Sequence, residues 1–284
     1  MLVGGLTAGE AREIVAARFS RPLRLVGGSG ARISVFPAEL GAVAHIAAAV
    51  RLAARIRRPG FAVPLTVEVP RARVDRFVTS LGTRFYRESV DATLRLRDSK
   101  PFATRDVPGR RLRTVVTARA ISLALKTQQR SPLELSFDKT AAPVTSDALG
   151  RAIVIKRGSN ELYLYRVGTK PKLIRMFRVA TGRSQYPTPL GKFEIVNMQL
   201  HPWWYPPAGS EWAKDAKPIP PGPGNPLGTR WMGLSAPNVG IHGTSSPSSI
   251  GYSASHGCVR MLIPEAEWLY SQVDLGTPVF VVAA

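Results

Sequence analysis

Apolar residues in the first 140 positions fall at helical spacing in some stretches and in short strand-length runs in others. Thr7-Ala-Gly-Glu10 has the form of a capping box, and Ala11, Ile14, Val15 and Phe19 follow as an apolar stripe, which predicts a first helix. Residues 22–26 and 32–36 read as short strands around the turn Gly27-Gly28-Ser29-Gly30. A helix over about 41–57 comes next, then a strand over Leu65–Val69 closed by Pro70. The following stretch has a similar order: a helix near 72–82, strand-like segments near 92–97 and 102–106, a helix near 114–127 and a strand at 133–137. Phe36-Pro37-x-x-Leu40-x-x-Val43 returns loosely as Val107-Pro108-x-x-Arg111-Leu112-x-x-Val115, so an internal duplication of about 70 residues is expected.

The segment Lys139 to Gly150, with Thr, Ala, Pro and Ser, reads as a linker. Beyond it the pattern turns to period two. Ala152-Ile-Val-Ile-Lys, the turn Arg157-Gly-Ser-Asn160 and Leu162-Tyr-Leu-Tyr-Arg form a strong hairpin signal. Further strands are expected at Leu173–Ala180, Gly191–Asn197 and Pro278–Val282, and a helix over about 264–273 with Pro264 in its first turn. Between Pro202 and Pro226 stand eight prolines in 25 residues, together with Trp203, Trp204, Tyr205 and Trp212. Such a segment is neither regular helix nor central strand, so a long ordered loop or lid is expected. The fold class is therefore α+β: an N-terminal mixed α/β module over 1–138, a linker over 139–150 and a mainly β domain over 151–284.

Hydrophobic residues at 44% and charged residues at 20% are ordinary for a globular protein and argue against wholesale disorder. The longest apolar run, Gly41 to Val50, contains His45 and is too short to span a bilayer. The first ten residues have no basic n-region and no long apolar stretch, as a signal peptide would. Charge is the anomaly: 39 Lys and Arg against 19 Asp and Glu give +20. Split at residue 150, the counts are 25 and 12 before and 14 and 7 after, or +13 and +7. Such a field suits nucleic acid, anionic lipid or an acidic cell wall, and a merely soluble basic surface is the plain alternative. The basic residues are scattered, the tightest group being Arg55, Arg57 and Arg58, and no stacking platform is evident, which speaks against nucleic acid.

The chemistry gathers in residues 239–261. Two of the chain's four histidines, His242 and His256, lie within 16 residues of its one cysteine, Cys258. A lone thiol is only a few per cent thiolate at neutral pH, so an imidazole nearby is what a cysteine nucleophile needs. His256 and Cys258, two apart, would share one face of an extended segment, and the amides of Gly257 and Cys258 are natural oxyanion donors. Two readings compete: a zinc site on His242, His256 and Cys258, which lacks an evident fourth ligand, and a buried structural cysteine.

The segments Ile241-His242-Gly243-Thr244 and Ser255-His256-Gly257-Cys258-Val259-Arg260-Met261 resemble the signature of the L,D-transpeptidase catalytic domain, YkuD type. Val179-Ala-Thr-Gly182, Pro187-Thr-Pro-Leu-Gly-Lys-Phe193 and Pro221-Gly-Pro-Gly-Asn-Pro-Leu-Gly228 are similar to that family too, and the likeness covers roughly 151–284. The N-terminal half is similar, less specifically, to the peptidoglycan-binding module found ahead of such domains, chiefly through Val74-Asp-Arg-Phe-Val-x-x-Leu81 and Asp91-Ala92. The resemblance implies that Cys258 is the nucleophile, His242 its base and the Gly243 carbonyl the group orienting that imidazole. His256 would support the site, and Gly257 and Cys258 would supply oxyanion amides. Arg260, Ser255, Trp231 and Trp203 would contact substrate; Arg260 stands where the family varies between Asn and Arg.

The implied reaction is cysteine acyl transfer from a peptidoglycan stem tetrapeptide, releasing D-alanine and making 3→3 cross-links with an acceptor stem, with no metal or organic cofactor. The same site could serve an L,D-carboxypeptidase. From another class, a basic wall-binding scaffold with an inert cysteine stays open; a papain-like peptidase usually places Cys before His, the reverse of the order here. The partners implied are donor and acceptor stem peptides and the anionic wall. The implied location is outside the cytoplasmic membrane, any membrane contact coming through an anchor that this sequence does not show.

Overall fold

The computed structural model describes residues 3–28, 30–56, 58 and 60–284. Ser29 of the expected glycine turn lies outside the described residues, as does Arg57 of the expected helix and arginine group. The chain folds as two compact units, Met1–Val90 with Pro108–Ala141, and Asp91–Val107 with Ala142–Ala284. In chain order its first half carries α1 (Ala8–Phe19), β1 (Leu23–Val26), β2 (Arg32–Val35), β3 (Val43–Ala44), α2 (Ile46–Arg55), β4 (Val67–Glu68), α3 (Arg71–Phe85), β5 (Leu94–Arg97), β6 (Lys100–Ala103), β7 (Gly109–Leu112), α4 (Thr114–Lys126), β8 (Leu133–Glu134) and β9 (Phe137–Thr140). The second half carries β10 (Arg151–Lys156), β11 (Glu161–Arg166), β12 (Lys172–Arg178), β13 (Thr181–Gly182), β14 (Gly191–Leu200), β15 (Arg230–Leu234), β16 (Gly240–Gly243), β17 (Ser253–Ser255), β18 (Val259–Met261), α5 (Ile263–Tyr270) and β19 (Pro278–Val282). With five α-helices among the described residues and a mainly β second unit, the chain is α+β.

In the first unit, Val74, Val78, Leu81 and Phe85 recur at helical spacing on α3 and form one buried stripe. That stripe joins Ile121 and Leu125 of α4 and Leu23 and Leu25 of the small sheet β2-β1-β8 in a single core. The capping box of α1 forms as read: Thr7 Oγ1 accepts from the Glu10 amide at 3.3 Å, and Glu10 accepts from the Thr7 amide at 2.8 Å. The stripe behind it does not bury, however; Ala11 is enclosed but Ile14 is 44% exposed. The helix expected from about 41 starts at Ile46, because Gly41 turns at φ +66° and Val43–Ala44 pair with β4 instead.

The β5–β6 hairpin belongs with the second unit, where Leu94, Leu96 and Ala103 pack with Ala152, Val154, Tyr165 and Phe280. Chain order predicts these residues in the N-terminal module, as one part of the second repeat. Two equivalent repeats do not form among the described residues: β1 pairs with both β2 and β8 in one unit, while β5 and β6 pair only with each other in the other.

The second unit is built on an eight-stranded mixed sheet, in the order β12-β11-β10-β19-β14-β15-β16-β18. The expected hairpin β10–β11 pairs Lys156 with Glu161, and Asn160 closes its turn at φ +55°. Ile153, Ile155, Leu162 and Leu164 are fully buried, as a sheet covered on that face requires. Helix α5 begins at Ile263 with Pro264 in its first turn and contributes Ala266 and Leu269 to the same core as β15 and β16.

Strand β15 and the ladder to β18 were not expected from periodicity, and they position the cleft. Trp231 on β15 pairs with His242 on β16, which pairs in parallel register with Arg260 on β18. Directly paired residues point the same way, so these three side chains form a row across one face. Beside them a clasp holds the 255–258 turn. Thr188, fully buried, accepts from the Gly182 amide and donates to the Gly257 carbonyl, each at 2.9 Å. Gly182 packs so closely that a Cβ there would run into the backbone of Tyr186 to Thr188. Gly182→Ala is therefore expected to destabilise the second unit by about 1–3 kcal/mol or more, read as a lower urea midpoint at unchanged m-value.

Candidate active site

One cavity of about 540 Å³ in the second unit is lined by Cys258, His242, His256, Ser255, Arg260, Trp231 and Trp203, so every side chain read from the sequence as a site residue meets there. Trp204, Tyr205, Trp212, Asn238, Gln199 and Ser210 add to its aromatic and polar wall, and no Asp or Glu lines it among the described residues.

His242 is 4% exposed, and its Nδ1 lies 2.5 Å from the carbonyl oxygen of Gly243. A carbonyl only accepts, so Nδ1 carries the proton and Nε2 the lone pair. The Trp231 ring stacks 5.8 Å from the imidazole. That indole lies in space left by two paired glycines, Gly233 and Gly240; a Cβ on Gly240 would meet the ring. The thiol of Cys258 donates to the Asn238 carbonyl at 3.5 Å. It thus shares the cavity with His242 but makes no hydrogen bond to it among the described residues.

Two expectations about the turn need correction. The 256–258 segment is not extended: Gly257 sits at φ +115°, in the region glycine alone enters freely. Nor is the Gly257 amide open as an oxyanion donor, since it donates to Ser255 Oγ at 3.1 Å. Ser255, read as a substrate contact, spends its hydroxyl inside the turn, donating to the Cys258 carbonyl at 2.5 Å. The Cys258 amide is the remaining candidate donor of the pair.

His256 is turned to other partners. Arg183 Nη2 lies 2.6 Å from its Nε2, Trp212 stacks on it at 3.9 Å with 9° between planes, and Tyr186 packs at 5.2 Å. A nitrogen facing a guanidinium is a poor metal ligand, and among the described residues no three His, Cys, Asp or Glu side chains gather as a metal site. Trp212 belongs to the proline-rich loop, which is tied together by side-chain to backbone hydrogen bonds. Its hub is the buried Asn225, whose amide donates to the carbonyls of Pro202, Ile219 and Pro220 and whose oxygen accepts from the Leu227 amide. Trp203 stands 49% exposed at the rim, stacked on Tyr205.

The family profile for YkuD, the L,D-transpeptidase catalytic domain, matches residues 150–281. The L,D-transpeptidase relative YqjB of Bacillus subtilis is 32% identical over 135 residues, covering 45% of this chain and 69% of YqjB. The chain belongs to the L,D-transpeptidase family. The relative YkuD of Bacillus licheniformis is 34% identical over 133 residues, 47% of this chain and 66% of that protein. A solved Enterococcus faecium L,D-transpeptidase aligns with 96% of this chain and 100% of its own at 18% identity and a TM-score of 0.40. The matched part thus spans about two thirds of these two Bacillus relatives. Among the described residues no helix is long and apolar enough to cross a membrane.

Electrostatically, this cavity disfavours charge on both central groups. Burial pulls the His242 imidazole down to about 4, against a smaller opposing effect of the Gly243 carbonyl. Burial pushes the Cys258 thiol up, partly offset by the Gly240 amide and Arg260. Both shifts favour a neutral thiol beside a neutral imidazole at rest. Arg183, Tyr186, Thr188, Asn225 and Gly240 were not assigned roles from sequence, although Gly182, Thr188 and Asn225 lie inside the family-like segments.

The lowered His242 value makes stability depend on pH. Below about 6.5 the unfolded chain takes a proton at this position that the folded chain refuses until about 4, so stability falls as pH drops through that window. Urea unfolding at pH 7 and pH 5 should show His242→Gln losing about 2 kcal/mol less over that interval than the parent. An equal loss in both would contradict the neutral buried imidazole.

Proposed function

We propose that this protein is a cysteine-dependent L,D-transpeptidase that forms 3→3 peptidoglycan cross-links, with Cys258 as nucleophile and His242 as base. One observation carries the reading: the chain's single thiol and a buried imidazole with its Nε2 lone pair free line one acid-free cavity. Sγ swings from the Asn238 carbonyl toward His242 Nε2, which takes the thiol proton as sulfur adds to the carbonyl of the third stem residue. The leaving D-alanine amine recovers that proton, and a thioester remains. An acceptor amine then attacks the thioester, with His242 acting first as base and then returning the proton to sulfur. The Cys258 amide is the backbone donor to the oxyanion.

Arg260 supports recognition of a carboxylate: it is half-buried in the cavity wall and forms no ion pair among the described residues. Trp231 and Trp203 flank the substrate, and the proline-rich loop limits competing water. The donor and acceptor are stem peptides of an anionic wall, which places the protein's work outside the cytoplasmic membrane. The first unit acts as a peptidoglycan-binding module.

Incubation with a disaccharide tetrapeptide should release D-alanine and yield a cross-linked dimer, both lost in Cys258→Ala. A carbapenem should add once to the parent, by intact mass, and not to that variant. Tripeptide without dimer would favour the carboxypeptidase reading. Arg260→Gln is expected to raise KM for the tetrapeptide about tenfold or more, with a smaller effect on kcat; unchanged KM would remove Arg260 from substrate recognition.

A further inference from the structure

His256 is held in one tautomer by Arg183. The guanidinium only donates, so His256 Nε2, 2.6 Å away, must accept, and the proton of the neutral ring sits on Nδ1. The ring cannot readily turn over, being stacked on Trp212 and packed by Tyr186. Arg183 is fixed in turn. Its guanidinium lies 5.0 Å over the Tyr186 ring, its amide donates to the Ser255 carbonyl at 3.0 Å, and its Nε is buried without a partner. Nδ1 of His256 has no acceptor among the described residues and is not one of the buried unpartnered atoms, while the ring lines the cavity that holds Cys258. The backbone amide beside it, that of Gly257, is already engaged by Ser255. A ring lining the cavity therefore carries an N–H donor with no partner among the described residues.

We propose that His256 donates a hydrogen bond from Nδ1–H to the oxygen of the scissile carbonyl, and that Arg183 is the positioning residue that fixes that tautomer. The proposal rests on acyl transfer at Cys258. As sulfur bonds to the carbonyl carbon, the π pair moves to oxygen, where Nδ1–H and the Cys258 amide stabilise it; the thiol proton goes to His242. When the carbonyl re-forms, the C–N bond breaks and its electron pair takes the proton from His242. His256 transfers no proton. The charged groups facing it are Arg183 and Arg260, with Tyr186 and Trp212 against the ring and no carboxylate in the cavity wall among the described residues. Burial first, and then these two guanidiniums, keep the imidazole below its ordinary range, so the neutral donor persists into mild acid.

The test uses full-length parent, Arg183→Met and Arg183→Lys. Nitrogen-15 spectra of the histidine rings, with His256→Gln for assignment, report the tautomer; the first-order constant for carbapenem acylation is followed from pH 5 to pH 9. Expected for the parent is an unprotonated Nε2 at pH 8, with protonation setting in at lower pH than for an ordinary imidazole. Arg183→Met should acylate about tenfold or more slowly at pH 8, with little change in carbapenem affinity. Its deficit should narrow below about pH 6.5, where an imidazolium carries Nδ1–H again. Arg183→Lys, which can still donate, should restore most of the rate. A protonated Nε2 in the neutral parent ring, a deficit constant with pH, or a lysine variant as slow as the methionine variant would each overturn the proposal. No adduct on the parent would overturn acyl transfer itself, and the ring spectra would still report separately on the Arg183–His256 bond.

Discussion

The hydrogen bond from His242 Nδ1 to the carbonyl of its own next residue is the constraint on which the cleft depends. It joins side chain and backbone within one strand, so the ring direction is set by the course of β16 rather than by a separate acidic partner. That arrangement suits a cavity wall without carboxylates among the described residues, since a buried Asp or Glu would have to be desolvated. It also exposes one nitrogen of defined character to the cavity. The strands on either side then matter because they put Trp231 against one flank of that imidazole and Arg260 beside the other.

Burial decides the resting charge of the site. The imidazole at about 4 and the raised thiol both reflect the same loss of solvent, and neither finds a carboxylate to compensate it. On the acyl-transfer reading, charge separates only while the thiol proton is moving, when the oxyanion and the imidazolium form together. The positive side chains Arg183 and Arg260 then sit where negative charge develops, instead of holding a thiolate in advance. The +20 net charge of the chain extends the same preference outward, though screened within about 10 Å at ordinary salt.

That Cys258, His242 and His256 belong to one cavity was legible in the sequence because the cysteine is unique and its histidines stand in short glycine-flanked segments. The hairpin around Asn160 and the helix after Pro264 were legible because turn and cap residues stand where local geometry needs them. What escaped was non-local. Strand β15 has only five residues and its Gly233 masks alternation; its meaning lies in the Trp231 ring filling the space over Gly240, a contact periodicity cannot report. The β5–β6 hairpin was assigned to the wrong half because chain order does not say which core an apolar pair joins. Ser255 and Gly257 were read by residue type as a substrate contact and an oxyanion donor, whereas the left-handed Gly257 turns them toward each other. Thr188 and Asn225 lie in recognisable segments, but a side chain that ties two backbone stretches together leaves no sequence pattern of its own.

Ultraviolet titration of the thiolate in the resting protein, as the difference between parent and Cys258→Ala, tests the neutral-pair account most directly. The account predicts no thiolate band at pH 6–7 and a titration above the ordinary thiol range. A band already present at pH 6 and flat through pH 8 would mean a preformed thiolate–imidazolium pair, and would contradict it.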